Sequence, residues 1–259
     1  FCLSRGLGDV YKRQIMGSFG GISMNEKELL VFIPAHNEEE NIEKVIEDLK
    51  EHCPGLDFLV IDDGSTDHTA EICHQKGIPC MSLPVNLGLD GVFQTGNKYA
   101  YLQGYKAAMP FDGDGQHNAR YILPMLRKMQ EGNYDIVIGS RFLHKKKGHS
   151  LRMMGSRIIS AIFRLTTGKR FTDPTSGMRL VNRKIMRQIA FDMNCGAEPD
   201  TWAYFVRNGA RFIEVQVEMN EREAGTSYFT LMSSIRYMLR MFVSISFINL
   251  FRRRREEAI

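Results

Sequence analysis

From residue 29 onward, short apolar runs alternate with longer amphipathic ones, and that alternation predicts most of the fold. Residues 29–33 read as a buried strand, and residues 39–51 as a helix carrying Ile42, Val45, Ile46 and Leu49 on one face. A second strand over 58–61 and a helix over about 66–76 follow, then a short strand near 80–83. Asn86-Leu87-Gly88 turns the chain into a helix through the nineties. Residues 107–111 form the next strand, 121–130 a helix, and 135–138 a strand that ends in Gly139-Ser140-Arg141. Strand and helix in such alternation imply an α/β fold with a doubly wound, mostly parallel sheet and a site at the carboxyl ends of its strands.

Beyond residue 150 the rhythm loosens: a helix is expected over 151–167 and strands over 178–181 and 211–217, with helical stretches between them. The loop Thr172-Asp173-Pro174-Thr175-Ser176-Gly177 is dense in turn residues and is placed against the same crevice. Residues 231–251 are rich in Met, Phe, Ile and Leu but carry Arg236 and Arg240. The uninterrupted apolar part from 241 to 251 is too short to span a bilayer, which takes roughly 20 residues. Followed by Arg252 to Arg255, it suits an amphipathic helix lying in an anionic membrane interface, or else a helix packed on the domain with a solvated tail. At the other end, residues 1–14 show no periodicity and precede Met16 and Met24, so residues 1–28 are expected to be a non-native or disordered leader. The remainder divides into one domain over 29–228 and the interfacial segment over 229–259.

Composition adds exclusions. The 259 residues are 43% hydrophobic and 25% charged, ordinary for a globular α/β domain, and a net charge of +4 gives no reason to expect nucleic acid. Five cysteines without Cys-x-x-Cys or Cys/His ligand spacing argue against a disulfide framework or a zinc site and favour a reducing cytoplasm. No Walker loop, Gly-x-Gly-x-x-Gly helix start or Gly-x-Ser-x-Gly elbow is present, which disfavours P-loop chemistry and serine hydrolysis.

The chemistry concentrates in Asp112-Gly113-Asp114-Gly115-Gln116-His117. In extended backbone, positions i and i+2 face one way, so Asp112 and Asp114 can approach one hard cation and leave most of its shell for phosphate oxygens. With Asp62-Asp63-Gly64-Ser65 at another strand end, this points to a nucleoside-diphosphate substrate held through Mg²⁺ or Mn²⁺. His117 is a further ligand, a substrate contact or a helix cap. Asp63 is the residue placed to accept from ribose or base, while Ser65 or Thr66 caps the following helix. In Pro34-Ala35-His36-Asn37-Glu38, His36 and Glu38 lie where a nucleotide would sit, and Asn37 with Glu40 reads as a capping arrangement. Arg141 is the arginine placed to bind phosphate with its fork.

In this order the motifs resemble the inverting glycosyltransferases of family 2, and within them the dolichyl- or polyprenyl-phosphate mannose synthase-like branch, from about residue 29 to residue 227. The resemblance rests on Ile33-Pro34-Ala35-His36-Asn37-Glu38-Glu39, Ile61-Asp62-Asp63-Gly64-Ser65-Thr66-Asp67, Asn86-Leu87-Gly88, Asp112 to His117, Gly139-Ser140-Arg141-Phe142 and Asp173 to Gly177. It implies a GT-A fold, a UDP- or GDP-sugar donor and Mg²⁺ or Mn²⁺. Pro34, His36, Glu38, Ile61 and Asp63 would contact the donor nucleotide, and Asp112, Asp114 and Gln116 would hold the metal. Arg141, with Arg157 and Ser160, would meet the acceptor phosphate, and Arg222 would belong to a loop closing over the diphosphate. Three positions depart from the pattern: His36 stands where the family usually has Tyr, Tyr228 where it often has Lys, and Pro110 interrupts the strand before the metal pair.

The expectation is therefore a metal-dependent enzyme moving a sugar to a lipid-linked phosphate or envelope glycan, with Asp114 and Arg141 in the chemistry. It would sit peripherally on the cytoplasmic face of a membrane, held by its own tail or a small membrane protein. A hydroxyl acceptor would need a base, for which Glu198 or Asp200 is the candidate. The alternative is a non-catalytic nucleotide-sugar-binding scaffold recruited to membranes.

Overall fold

In the computed structural model, residues 27–148, 151–192, 196–219, 236 and 239–248 are described. The leader, Arg222, Tyr228 and the basic cluster Arg252 to Arg255 lie outside them. One seven-stranded sheet runs β3-β2-β1-β4-β6-β5-β7. Its strands are β1 (Leu29–Ala35), β2 (Asp57–Asp62), β3 (Cys80–Ser82), β4 (Ala107–Pro110), β5 (Ile136–Ser140), β6 (Arg179–Asn182) and β7 (Phe212–Gln216). All neighbours pair in parallel except β6, which is antiparallel to both β4 and β5.

β1 is the hub, paired to β2 on one side and β4 on the other, and its near-continuous burial is what a central parallel strand requires. Its side chains alternate between two cores. Leu30 and Phe32 face Phe93, Phe163 and Trp202 in one; Leu29, Val31 and Ile33 face Ile42, Ile46 and Met125 in the other. Helices α1 (Ile42–His52), α2 (Thr69–Gln75) and α4 (Ile122–Gly132) cover the second core. Helices α3 (Gly88–Leu102), α5 (Leu151–Thr167), α6 (Arg183–Phe191) and α7 (Pro199–Arg207) cover the first. Ile42, Val45, Ile46 and Leu49 form the buried face of α1, as their spacing requires.

Two helices start later than the periodicity indicates. Residues ahead of α1 are held in a loop, because Asn37 sits at φ 57° and its side chain serves a neighbouring segment rather than a helix end. It therefore does not cap α1 with Glu40. Likewise α2 begins at Thr69 because the Asp67 carboxylate accepts from the Thr69 N–H and hydroxyl, at 3.0 and 2.6 Å. Ser65 and Thr66 are not its caps; Ser65 accepts from the Asn37 N–H instead.

Pro110 removes nothing from the ladder. The Phe111 N–H points to β1, bonding the Phe32 carbonyl at 3.0 Å, so position 110 faces the other way in the alternating backbone. On that side the β4–β6 register stops at Ala108, before Pro110.

In the carboxyl-terminal segment Met241 and Ile245 join the first core, while Leu239, Phe242 and Val243 stay exposed. Among the described residues no helix is long and apolar enough to cross a membrane.

Gly96 reports how tightly α3 packs on the sheet. A β-carbon there would lie 2.4 Å from ring atoms of the wholly buried Phe32. Gly96→Ala is expected to destabilise by about 1–3 kcal/mol from overpacking, outweighing the ~1 kcal/mol that alanine contributes as a helix former. A lower urea midpoint at unchanged slope is the expected record; a raised midpoint would show that the helix can step back.

Candidate active site

From β1 the chain order leads outward to β2 and β3 on one side and resumes with β4 on the other, so the crevice at the carboxyl ends of the parallel strands β1 and β4 is a topological switch point. Three loops meet there. The first two are latched to each other by backbone: Asp63 N–H bonds the Ala35 carbonyl at 2.8 Å, and Glu38 N–H bonds the Thr69 hydroxyl at 2.9 Å. Asn37 completes the latch, its Oδ1 accepting from Thr66 N–H at 2.8 Å. Gly64 permits the approach of a third segment, since it holds φ +66° and a β-carbon would stand 3.0 Å from the Asn86 nitrogen.

Within this frame His36 is exposed at the rim, with Nδ1 3.0 Å from the Asp63 carbonyl, to which it donates. Glu38 is half-buried and accepts from the Asn41 amide at 2.8 Å. Pro34 is half-buried, and its carbonyl lies 2.8 Å from where a Gly113 β-carbon would be, so only glycine lets the third loop come this close. Asp63 differs from expectation. It is 4% exposed, and its two oxygens accept from the Leu87 and Gly88 N–H groups at 2.7 and 2.8 Å. Its carboxylate thus pins the start of α3 as a long-range cap. Ile61 is also corrected: fully buried in the first core, it forms the floor and offers no surface to a ligand.

The third loop carries the acidic pair. Asp112 is 40% exposed at its side chain, with Oδ2 3.2 Å from His117 Nε2. Asp114 accepts from the Gln116 N–H at 3.1 Å and from its side-chain amide at 2.9 Å, so Gln116 stands with the pair. His117 does not cap a helix; Asn118 does so, accepting from Arg120 N–H. The donor set is hard oxygen throughout, which fits Mg²⁺ or Mn²⁺. Among the described residues no three acidic, histidine or cysteine side chains close around a point.

At the other end of the Asp173 to Gly177 loop, whose Gly177 lies against Asp112, is a cationic cluster. The Arg141 fork is bound to the wholly buried Asp173, at 2.7 Å from Nε and 2.9 Å from a terminal nitrogen. Burial pushes the Asp173 carboxyl up, but the hydrogen bonds and charge of Arg141 outweigh it and hold it below the usual carboxylate range. Glu214, behind Asp173, is pushed up by burial against the N–H bonds it accepts from Thr172 and Asp173. Arg157 donates to the Lys147 carbonyl at 2.7 Å, and Ser160 lies 3.2 Å from Lys147 Nζ.

Lys147, hidden in sequence within Lys145-Lys146-Lys147, is the residue that pattern reading missed. Its ammonium also donates to the Ser156 hydroxyl at 2.7 Å, so its hydrogen-bond partners here are neutral hydroxyls. Desolvation, with Arg141 and Arg157 adding to it, lowers its pKa to about 8 despite Asp173 and Glu214. Only the tertiary packing of the 141–148 loop on α5 makes it distinct from the neighbouring lysines.

Asp200 and Glu198 are occupied in fastening the carboxyl-terminal segment: Asp200 accepts from the Ser244 hydroxyl at 2.5 Å, and Glu198 pairs with Arg240 at 2.6 Å. The structure does not show either presented to the acidic pair. Arg222, expected to close over the diphosphate, lies outside the described residues.

A doubly wound, mostly parallel sheet in this strand order, with an acidic pair at its switch point, is a fold of the GT-A kind. The description "Glycosyl transferase family 2" matches residues 30–190, and the chain belongs to that family. It is similar to the polyprenol monophosphomannose synthase of Mycolicibacterium smegmatis, at 28% identity over 76% of this chain and 79% of that protein. It is similar also to the undecaprenyl-phosphate mannosyltransferase of Micrococcus luteus, at 29% identity over 77% of this chain and 86% of that one. In fold it matches glucosyl-3-phosphoglycerate synthase from Mycobacterium tuberculosis, solved with Mn²⁺, UDP-glucose and phosphoglyceric acid. That match has a TM-score of 0.63 at 18% identity and covers 85% of this chain and 80% of the other.

The Arg141–Asp173 pair makes an asymmetric prediction. Removing one partner of a buried pair costs about 3–5 kcal/mol, and Asp173 is the partner with no exposure. Arg141→Ala should therefore destabilise more than Asp173→Ala. In the parent, a depressed Asp173 pKa gives stability present above the unfolded value and lost as pH falls through the folded one. In Arg141→Ala the side-chain bonds and the guanidinium charge are lost, and burial is opposed only by the backbone N–H of residue 141, the Thr175 hydroxyl and the Lys147 charge; the folded pKa rises, so the variant should lose less stability than the parent on acidification toward pH ~5. Urea unfolding across pH checks both orders.

Proposed function

We propose that this glycosyltransferase moves a sugar from a nucleoside-diphosphate sugar to the phosphate of a polyprenyl phosphate, inverting the anomeric centre. The observation that carries the reading is the half-exposed acidic pair, Asp112 and Asp114, joined through the Asp173 to Gly177 loop to the cationic cluster of Arg141, Lys147 and Arg157. The relatives named for polyprenyl- and undecaprenyl-phosphate acceptors support the same choice.

His36, Glu38 and Pro34 form the rim for the nucleotide, with Asp63 and Ile61 shaping the floor beneath. Asp112, Asp114 and Gln116 would hold Mg²⁺ or Mn²⁺, which when bound neutralises charge on the departing diphosphate. Arg222 remains the proposed cation of a closing loop. An acceptor phosphate oxygen is already anionic: it forms the new bond to the anomeric carbon from the face opposite the diphosphate, whose oxygen leaves with the electron pair of the broken bond. No proton has to be removed, so Asp200 is left as a base only for a hydroxyl acceptor.

Met154, Ile158, Leu239 and Phe242 are exposed apolar side chains on α5 and the carboxyl-terminal helix, beside Arg157 and Arg240. They support attachment at an anionic lipid surface, the peripheral placement at which a lipid-linked acceptor is reached. The cytoplasmic side and a small membrane partner belong to this proposal too.

A panel of UDP- and GDP-sugars, with Mg²⁺ or Mn²⁺ and vesicles carrying polyprenyl phosphate, is expected to yield nucleoside diphosphate and a glycosyl phospholipid. Asp114→Asn should cut the rate by roughly a thousandfold, the loss of several kcal/mol of charge stabilisation. Absence of product with every donor, or full activity after chelation, would overturn the proposal.

The pH dependence follows from Lys147. With its pKa lowered to about 8, the free enzyme loses this cation as pH rises through that value. Acceptor kcat/KM, which reports free-enzyme groups, should fall above pH ~8. Lys147→Arg should keep it level to higher pH; an identical fall in that variant would remove Lys147 from acceptor binding.

A further inference from the structure

His117 is almost wholly buried, at 2% exposure, directly beside a residue that must meet solvent and substrate. Its ring touches Asp112 twice. Nδ1 accepts the Asp112 backbone N–H at 2.9 Å, which leaves the ring proton on Nε2, and Nε2 lies 3.2 Å from Asp112 Oδ2. One side chain thus grips both the backbone and one carboxylate oxygen of Asp112, whose side chain stays 40% exposed.

The grip is backed on two sides. Phe111, fully buried, packs edge-on against the imidazole with centroids 5.3 Å apart. Gly177, at the end of the Asp173 to Gly177 loop, forms the wall behind. A β-carbon there would stand 2.9 Å from His117 Nε2 and 3.0 Å from Asp112 Oδ2, so neither ring nor carboxylate has room to swing back. The turn-rich loop therefore reaches the acidic pair itself.

We propose that His117 is a positioning residue: as the Nε2–H tautomer it holds the Asp112 carboxylate in the orientation that binds a divalent cation, with Gly177 as the stop. This rests on the reading of Asp112 as a metal ligand. Groups that orient a ligand in this way are worth about 10–100-fold in metal affinity.

Two substitutions separate the two bonds. His117→Asn keeps an acceptor for the Asp112 N–H but loses the donor to the carboxylate; His117→Gln places a donor near the lost Nε2. Free Mn²⁺ is followed by electron paramagnetic resonance during titration of the full-length protein with UDP or GDP present, alongside thermal unfolding. His117→Asn should weaken Mn²⁺ binding about 10–100-fold, and His117→Gln should recover most of it. Gly177→Ala, which keeps the histidine and crowds the carboxylate, should weaken Mn²⁺ as well. Parent-like Mn²⁺ affinity in folded His117→Asn overturns the inference while leaving the functional proposal standing; should His117→Asn not fold, parent-like affinity in Gly177→Ala does the same. Failure of the parent protein to bind Mn²⁺ with either nucleotide overturns both.

Discussion

Negative charge crowds the carboxyl edge of this sheet, and the site depends on giving each carboxylate its own donors. Asp63 receives the two N–H groups that open α3, Asp173 the Arg141 fork, and Glu214 the N–H groups of Thr172 and Asp173. Asp114 is met by Gln116 and Asp112 by His117. An unsupported carboxylate beside others would take up a proton or turn away into water. Here the supported ones become fixed points, and loops from distant parts of the chain are fastened to them. Asp63 joins β2 to α3, Asp173 joins the 172–177 loop to β5, and Glu214 joins that loop to β7.

The two sides of the crevice are built differently. On the side proposed for the nucleotide, the loops after β1 and β2 are latched to each other by backbone and by Asn37. At the cationic cluster Lys147 has a half-buried ammonium hydrogen-bonded to hydroxyls, a charge whose desolvation an arriving phosphate would relieve. The first side suits a ligand recognised by shape and hydrogen bonding, the second a ligand recognised by charge.

Where a residue's role follows from its neighbours along the chain, sequence reading succeeded. The strands, the buried stripe of α1 and the full span of α5 follow from periodicity. The acidic pair is legible because its spacing and glycines are local. What could not be read is which distant group meets which. Asn37 looked like a cap because only its own segment was visible, whereas its partners are Thr66 and Asp67. Asp63 looked available because Leu87 and Gly88 lie a loop away. Pro110 looked disruptive because the side on which β4 loses its neighbour is a property of the sheet. Lys147 is chemically identical to Lys145 and Lys146 until α5 covers it.

The placement of Asp200 and Glu198 bears on the chemistry. Both tie α7 to the carboxyl-terminal helix, through Ser244 and Arg240, and the same helix buries Met241 and Ile245 in the first core while exposing Leu239 and Phe242. Carboxylates engaged in that fastening are poorly suited to accept a proton from an incoming hydroxyl, since protonation would weaken the Arg240 pair and replace the Ser244 acceptor. A phosphate nucleophile makes no such demand. On the proposed reading, the acidic residues that a hydroxyl-directed enzyme would reserve for proton transfer can fasten the carboxyl-terminal segment, and Arg141, Lys147 and Arg157 can hold the nucleophile. Structural fastening by Asp200 and Glu198 and the proposed acceptor, which arrives already ionised, are thus compatible within one arrangement of charge.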